Sequence, residues 1–151
     1  MNARLSIISA IFIASTSVAV GAHTPPEPTL HQVFSPYWAT GYGRISTIEL
    51  HNNQIKFPLD VRPVILSPSG ERVELPSVRL VQLGNASIDV QAMLNQVGRA
   101  DLHRGSAIFE YTTPYAGALT AETTIRKLQH TLAYTIIGAE YGAKGTRSVT
   151  V

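Results

Sequence analysis

From Gln32 to Ile137 the chain alternates apolar and polar residues over short runs that are broken by Gly, Pro, Asn and Ser. This is the pattern of half-buried strands joined by tight turns. The clearest run is RISTIELHN, where Ser46, Ile48, Leu50 and Asn52 fall on one face and Thr47, Glu49 and His51 on the other. Upstream, QVFSPYW (Gln32 to Trp38) predicts a first strand. Pro36 removes a backbone donor there, so the strand lies at a sheet edge or is broken in the middle. Alternation puts Phe34 and Trp38 on one face and Tyr37 on the other. The segments ATGYG and HNNQ supply the next two turns. FPLDVRPVILSPSGERVELP predicts a hairpin with Leu59, Val61, Pro63 and Ile65 on one face, a turn at SPSGE, and Val73 and Leu75 in the return arm. Pro58 and Pro63 place that arm at an edge or on a bulge.

Two further strands, Val78–Leu83 and Ser87–Val90, flank a turn at Gly84-Asn85. QAMLNQVGRADLH is the one helical segment: Met93, Leu94 and Val97 share a face, Asp89 is placed to cap it and Gly98 to end it. GSAIFEYT then sets Ala107, Phe109 and Tyr111 against Ile108 and Glu110. GALTAETTIRKLQ and HTLAYTIIGAEY predict a strand pair around Leu128–Thr131, and RSVTV can form a last strand. Together these elements predict an all-β domain, a sandwich or barrel, over residues 32–151.

The first twenty-two residues read differently. Arg4, an apolar run from Leu5 to Val20 and the small residues Gly21 and Ala22 have the three-part layout of a secretory signal, with cleavage expected after Ala22. A retained membrane anchor is the competing reading, because the run approaches the length of a span. Residues 23–31 open with HTPPEP and form an extended, proline-rich leader. The expected location is therefore periplasmic or extracellular, with no stable membrane span once the signal is removed.

Composition narrows the chemistry. The chain has no cysteine, which excludes disulfides, a thiolate nucleophile and cysteine-held zinc. Net charge is +2, and apart from Arg126-Lys127 the basic residues stand singly, so no polycation tract points to nucleic acid. The five histidines lack metal-ligand spacing, and no metal or cofactor is expected. No nucleophile elbow or phosphate-cradling glycine loop is present. No catalytic residue is expected; an enzyme would need two or more of Glu49, His51, Asp60, His103 and Glu110 to converge in a pocket.

One segment stands apart: SPYWATGYGR puts the sole tryptophan and two tyrosines into ten positions. Tyr37, Trp38, Tyr42 and Arg44 are the candidate ligand-binding residues, since aromatic faces stack on sugar rings or on a partner's apolar patch. The reading placed first, strand and turn before platform, makes Trp38 core and leaves Tyr37 and Tyr42 as the exposed pair. A sugar platform requires Trp38 to face solvent, so a buried Trp38 removes it.

The stretches PYWATGYGRISTIELHNN, LDVRPVILSPSGERVELPSVRL, NASIDV and GSAIFEYTTPYAGALTAETTI resemble a loosely defined group of exported bacterial proteins with immunoglobulin-like β-sandwich modules. The resemblance implies an immunoglobulin-like antiparallel β-sandwich of about seven to nine strands with one short connecting helix. It supplies no catalytic or ligand residues. The expectation is a non-catalytic exported module that contacts a protein partner or envelope component through sandwich edges and end loops. A glycan is the second partner class.

Overall fold

The computed structural model describes residues 26–128 and 130–141. The signal segment, the first residues of the leader and the RSVTV tail lie outside these residues. The strands are β1 (Thr29–Ala39), β2 (Arg44–Asn52), β3 (Leu59–Leu66), β4 (Arg72–Glu74), β5 (Val78–Leu80) and β6 (Asn85–Asp89). After helix α1 (Val90–Gln96) come β7 (Arg104–Thr113), β8 (Leu119–Lys127), β9 (His130–Ile137) and β10 (Ala139–Tyr141). All pairings are antiparallel. One sheet runs β10-β1-β7-β3-β4, with β5 also on β3, and the other runs β6-β2-β8-β9. The result is an all-β, sandwich-like arrangement of two sheets and one short helix. Of the ten strands among the described residues three have only three residues each, which takes the count past the expected seven to nine.

The inner faces follow the alternation. Ser46, Ile48, Leu50 and Asn52 are all buried on β2, and Ala107, Phe109 and Tyr111 on β7. They meet Val33, Trp38, Leu59, Val61, Ile65, Ile88 and Ala121 in one core fed by both sheets. Each large side chain buried there contributes about 1.5–3 kcal/mol. Two polar pairs cross the core and fix how the sheets face each other. Ser35 Oγ lies 2.8 Å from Thr123 Oγ1, and Ser46 Oγ donates to Ala39 O while accepting from Ala39 N. The helix forms as its capping residue directs: Asp89 accepts from Ala92 N at 3.0 Å, and Val90 and Leu94 enter the core.

The prolines act more locally than an edge rule implies. β1 sits between β10 and β7 and is not an edge, but its pairing with β7 slips between Ser35 and Trp38, at Pro36-Tyr37. The extra residue reverses the alternation, so Trp38 joins Val33 and Ser35 inside while Phe34 stays half-exposed. Phe34 and Trp38 therefore do not share a face. Pro63 is tolerated because β5 pairs with Leu59–Val61 and β4 with Val64–Leu66. Its missing donor falls in the gap, where its carbonyl accepts from Leu75 N.

The strands either side of the Gly84-Asn85 turn divide between the sheets, β5 joining β3 and β6 joining β2. The last strand pair forms as expected, β9 on β8, but its end beyond Gly138 crosses over as β10 to pair with β1. At Gly105 the backbones come so close that an added Cβ would lie 2.0 Å from Leu66 O and 3.1 Å from the Trp38 ring.

Candidate functional site

Loops gather at the two ends of the sandwich. At one end lie the β2–β3 loop (53–58), the β5–β6 loop (81–84) and the β7–β8 loop (114–118), here called the loop end. At the other lie the β1–β2 turn, the α1–β7 connection and the β8–β9 turn, here called the hairpin end.

Asn52 builds the loop end. It is fully buried at the last position of β2, and its Nδ2 donates to Phe57 O and Val81 O, each at 2.9 Å. Its Oδ1 accepts from Gln54 N. One amide thus ties two loops together. Leu83 N donates to Gln54 O, while Asn53 ties in the third loop through its N–H to Ala118 O and its Nδ2 to Gly117 O. With the backbones held this way, Ile55, Phe57, Val81, Leu83 and Tyr115 project outward, Ile55 being 75% exposed. They make up half of the large apolar side chains exposed among the described residues. Phe57 and Tyr115 stack with ring centroids 6.4 Å apart, beside a depression of about 290 Å³ lined also by Asn53, Gln54, Ile55 and Lys56. The three loops contain no carboxylate and one cation, Lys56.

A clamp behind this end secures the loop that carries Tyr115. Glu140 on β10 accepts from Tyr111 Oη at 2.8 Å and from Gly117 N at 2.7 Å, and His31 Nδ1 lies 3.0 Å from it. Burial and the bond to this carboxylate push the Tyr111 phenol well above its ordinary range.

The sequence candidates fall elsewhere. Trp38 is 0% exposed, and its Nε1 donates to Ser106 O at 2.9 Å. It is a core residue and no ligand contact, so the coplanar platform of Tyr37, Trp38 and Tyr42 does not form and the sugar reading loses its required ring. Tyr37 is exposed at the β1 bulge, and Tyr42 and Arg44 are exposed in and beside the β1–β2 turn. Tyr42 is 87% exposed and packs edge-on to His103 with centroids 5.9 Å apart.

Of the five catalytic candidates, Glu49 and His51 lie on the outer face of β2 and His103 lies in the α1–β7 connection. Asp60 and Glu110 do share a depression of about 390 Å³ on the outer face of the first sheet. Both are already engaged. Asp60 takes both oxygens to Arg79, and Glu110 accepts from Arg62, Arg72 and Gln32. Glu110 lies on the face of β7 opposite Ala107, Phe109 and Tyr111, yet it is only 5% exposed because these long side chains cover it. Burial alone would raise its carboxyl; the hydrogen bonds from Arg62, Arg72 and Gln32 outweigh burial and hold it below the usual range. A general acid needs the opposite shift.

The sequence reading missed the loop end. Ile55-Lys56-Phe57 looks like the start of a strand, and nothing local shows that Val81, Leu83 and Tyr115 come to meet it. One signal appears only in the backbone. The two non-glycine residues with positive φ among the described residues are Leu83 and Tyr42, both at 51°. Each holds an exposed apolar side chain on a turn, one at each end, in a conformation that disfavours side chains. Residues held in sparsely populated backbone conformations cluster at functional sites.

Among the described residues no helix is long and apolar enough to cross a membrane, and no three His, Asp or Glu side chains cluster as metal ligands. No family model, curated protein or solved structure matches the chain.

Proposed function

We propose that this domain is a non-catalytic docking module of the cell envelope or extracellular space, and that its loop end is the surface that meets a protein partner. The observation that carries the reading is the set of five apolar side chains on three loops that buried Asn52 and the loop backbone hold in fixed positions. A contiguous exposed apolar patch with a rigid base is the ordinary form of a protein contact. The near absence of charge directs the choice of partner. Three loops with a single cation gain little from an anionic polymer or headgroup, and much from burying rings and branched side chains against a complementary apolar surface.

Immobilised mature chain, incubated with envelope extract, is expected to retain one protein at a stoichiometric level. An Ile55→Ser/Phe57→Ser double variant should release it while leaving stability within about 0.5 kcal/mol, as surface changes do. Equal retention by both forms would remove the loop end from the contact. Association of the pure chain with itself that the double variant abolishes would make a second copy the partner.

A further inference from the structure

The hairpin end carries a second, chemically different surface. The β1–β2 connection is a two-residue turn in which Tyr42 and Gly43 both have positive φ, with Arg44 N donating to Gly41 O, the requirement of a type I′ hairpin. Leu128 N donates to Gly43 O at 2.8 Å, so the turns that carry Tyr42 and Leu128 adjoin. Both side chains stand out, Leu128 being 71% exposed.

Four cations stand on or beside the strand ends that lead into these two tips. Arg44 and Lys127 are direct cross-strand partners, Arg126 is paired with Ile45, and Arg104 with Ala39. All four are exposed. Among the described residues no carboxylate is bonded to any of them, and the nearby carboxylates Glu71 and Asp101 are both taken by Arg99. Like charges set opposite each other across a strand pair disfavour the fold on their own. An anion lying on this end would offset that repulsion.

We propose that the hairpin end docks on an anionic lipid surface, with Tyr42 and Leu128 entering the headgroup region and Arg44, Arg104, Arg126 and Lys127 facing lipid phosphates. A bilayer interface accepts an amphipathic ring and a branched apolar side chain while attracting the cations around them. A nucleic acid would use the cations and stack on Tyr42, but it would leave Leu128 without a partner. Docking this way round leaves the loop end facing away from the membrane and open to a protein.

The chain has no cysteine, so a single Leu128→Cys or Ile55→Cys substitution in the full chain takes an environment-sensitive fluorophore at one known place. On phosphatidylcholine vesicles containing phosphatidylglycerol, the label at position 128 should shift to the blue, and it should stay as in buffer on pure phosphatidylcholine or at high salt. The label at position 55 should remain in water. Lys127→Gln and Arg126→Gln should each weaken the response about fivefold, with emission from buried Trp38 unchanged as the sign of an intact fold. A label at position 128 that stays in water on anionic vesicles would overturn the proposal. So would an equal response from both labels, as tethering by the apolar run from Leu5 to Val20 alone would produce, or duplex DNA binding without a vesicle response.

Discussion

The two ends of the sandwich use the same parts, short turns between antiparallel strands, and end with different chemistry. The loop end has no carboxylate and one cation in its three loops, and its apolar side chains stand on backbone that buried Asn52 and exposed Asn53 tie together. The hairpin end has two apolar tips among four exposed cations, held by a strained two-residue turn. One end is suited to burying area, the other to meeting negative charge. The difference arises from where each sheet ends. Strands β2, β5 and β7 run out at the loop end into Asn-, Gln- and Gly-rich connections, whereas β8 and β7 bring Arg126, Lys127 and Arg104 to the hairpin end.

The largest test of this contrast is Asn52→Ala. It leaves Phe57 O, Val81 O and Gln54 N without their partner, and should cost about 2–4 kcal/mol in urea unfolding. Hydrogen exchange should rise in loops 53–58 and 81–84, with the Tyr42 turn unchanged. Equal loosening at both ends would mean the ends are not independently built.

Glu110→Gln acts on the body between the ends. With one oxygen lost to strong pairing it should cost about 2 kcal/mol, without separating loop-end from hairpin-end behaviour. The pH dependence has a definite sign. Because the folded-state value lies below the unfolded one, the contribution is complete above the unfolded carboxyl pKa and is lost as pH falls through the folded value. Wild type should therefore lose its advantage over Glu110→Gln on acidification. An advantage that grows in acid would contradict the burial-and-arginine account.

The smallest effect is expected at Tyr42. Tyr42→Asn gives the Asn-Gly pair that a type I′ turn favours, and should stabilise the chain by about 0.5–1 kcal/mol. It should also weaken vesicle binding. A variant that loses stability would show that the ring supports the fold, which would remove the reason for reading the strain as functional.

Much of the body was legible in the sequence, and the ends were not. The alternation of β2 and the Asp89 cap are local, and both form as the residues predict. The reversal of face at Trp38 was not visible because Pro36 shifts the register by one residue, and one residue moves every later side chain to the other side. Glu110 shows a second limit. Its polar position in β7 reads as solvent-facing until β1, β3 and β4 bring Gln32, Arg62 and Arg72 over it. The loop end combines residues from three loops that only the fold brings together, so no spacing rule finds it. Of the aromatic candidates, Tyr42 and Arg44 do lie on one exposed end, and Trp38 does not.

A photo-crosslinking residue placed at Phe57, with Tyr42 as the matched position at the other end, tests the proposed docking role most directly in cells that express the protein. Position 57 should give one defined protein adduct that disappears with Ile55→Ser, while position 42 gives none to that protein. No adduct from position 57, or the same adduct from both positions, would contradict a loop end dedicated to a protein partner.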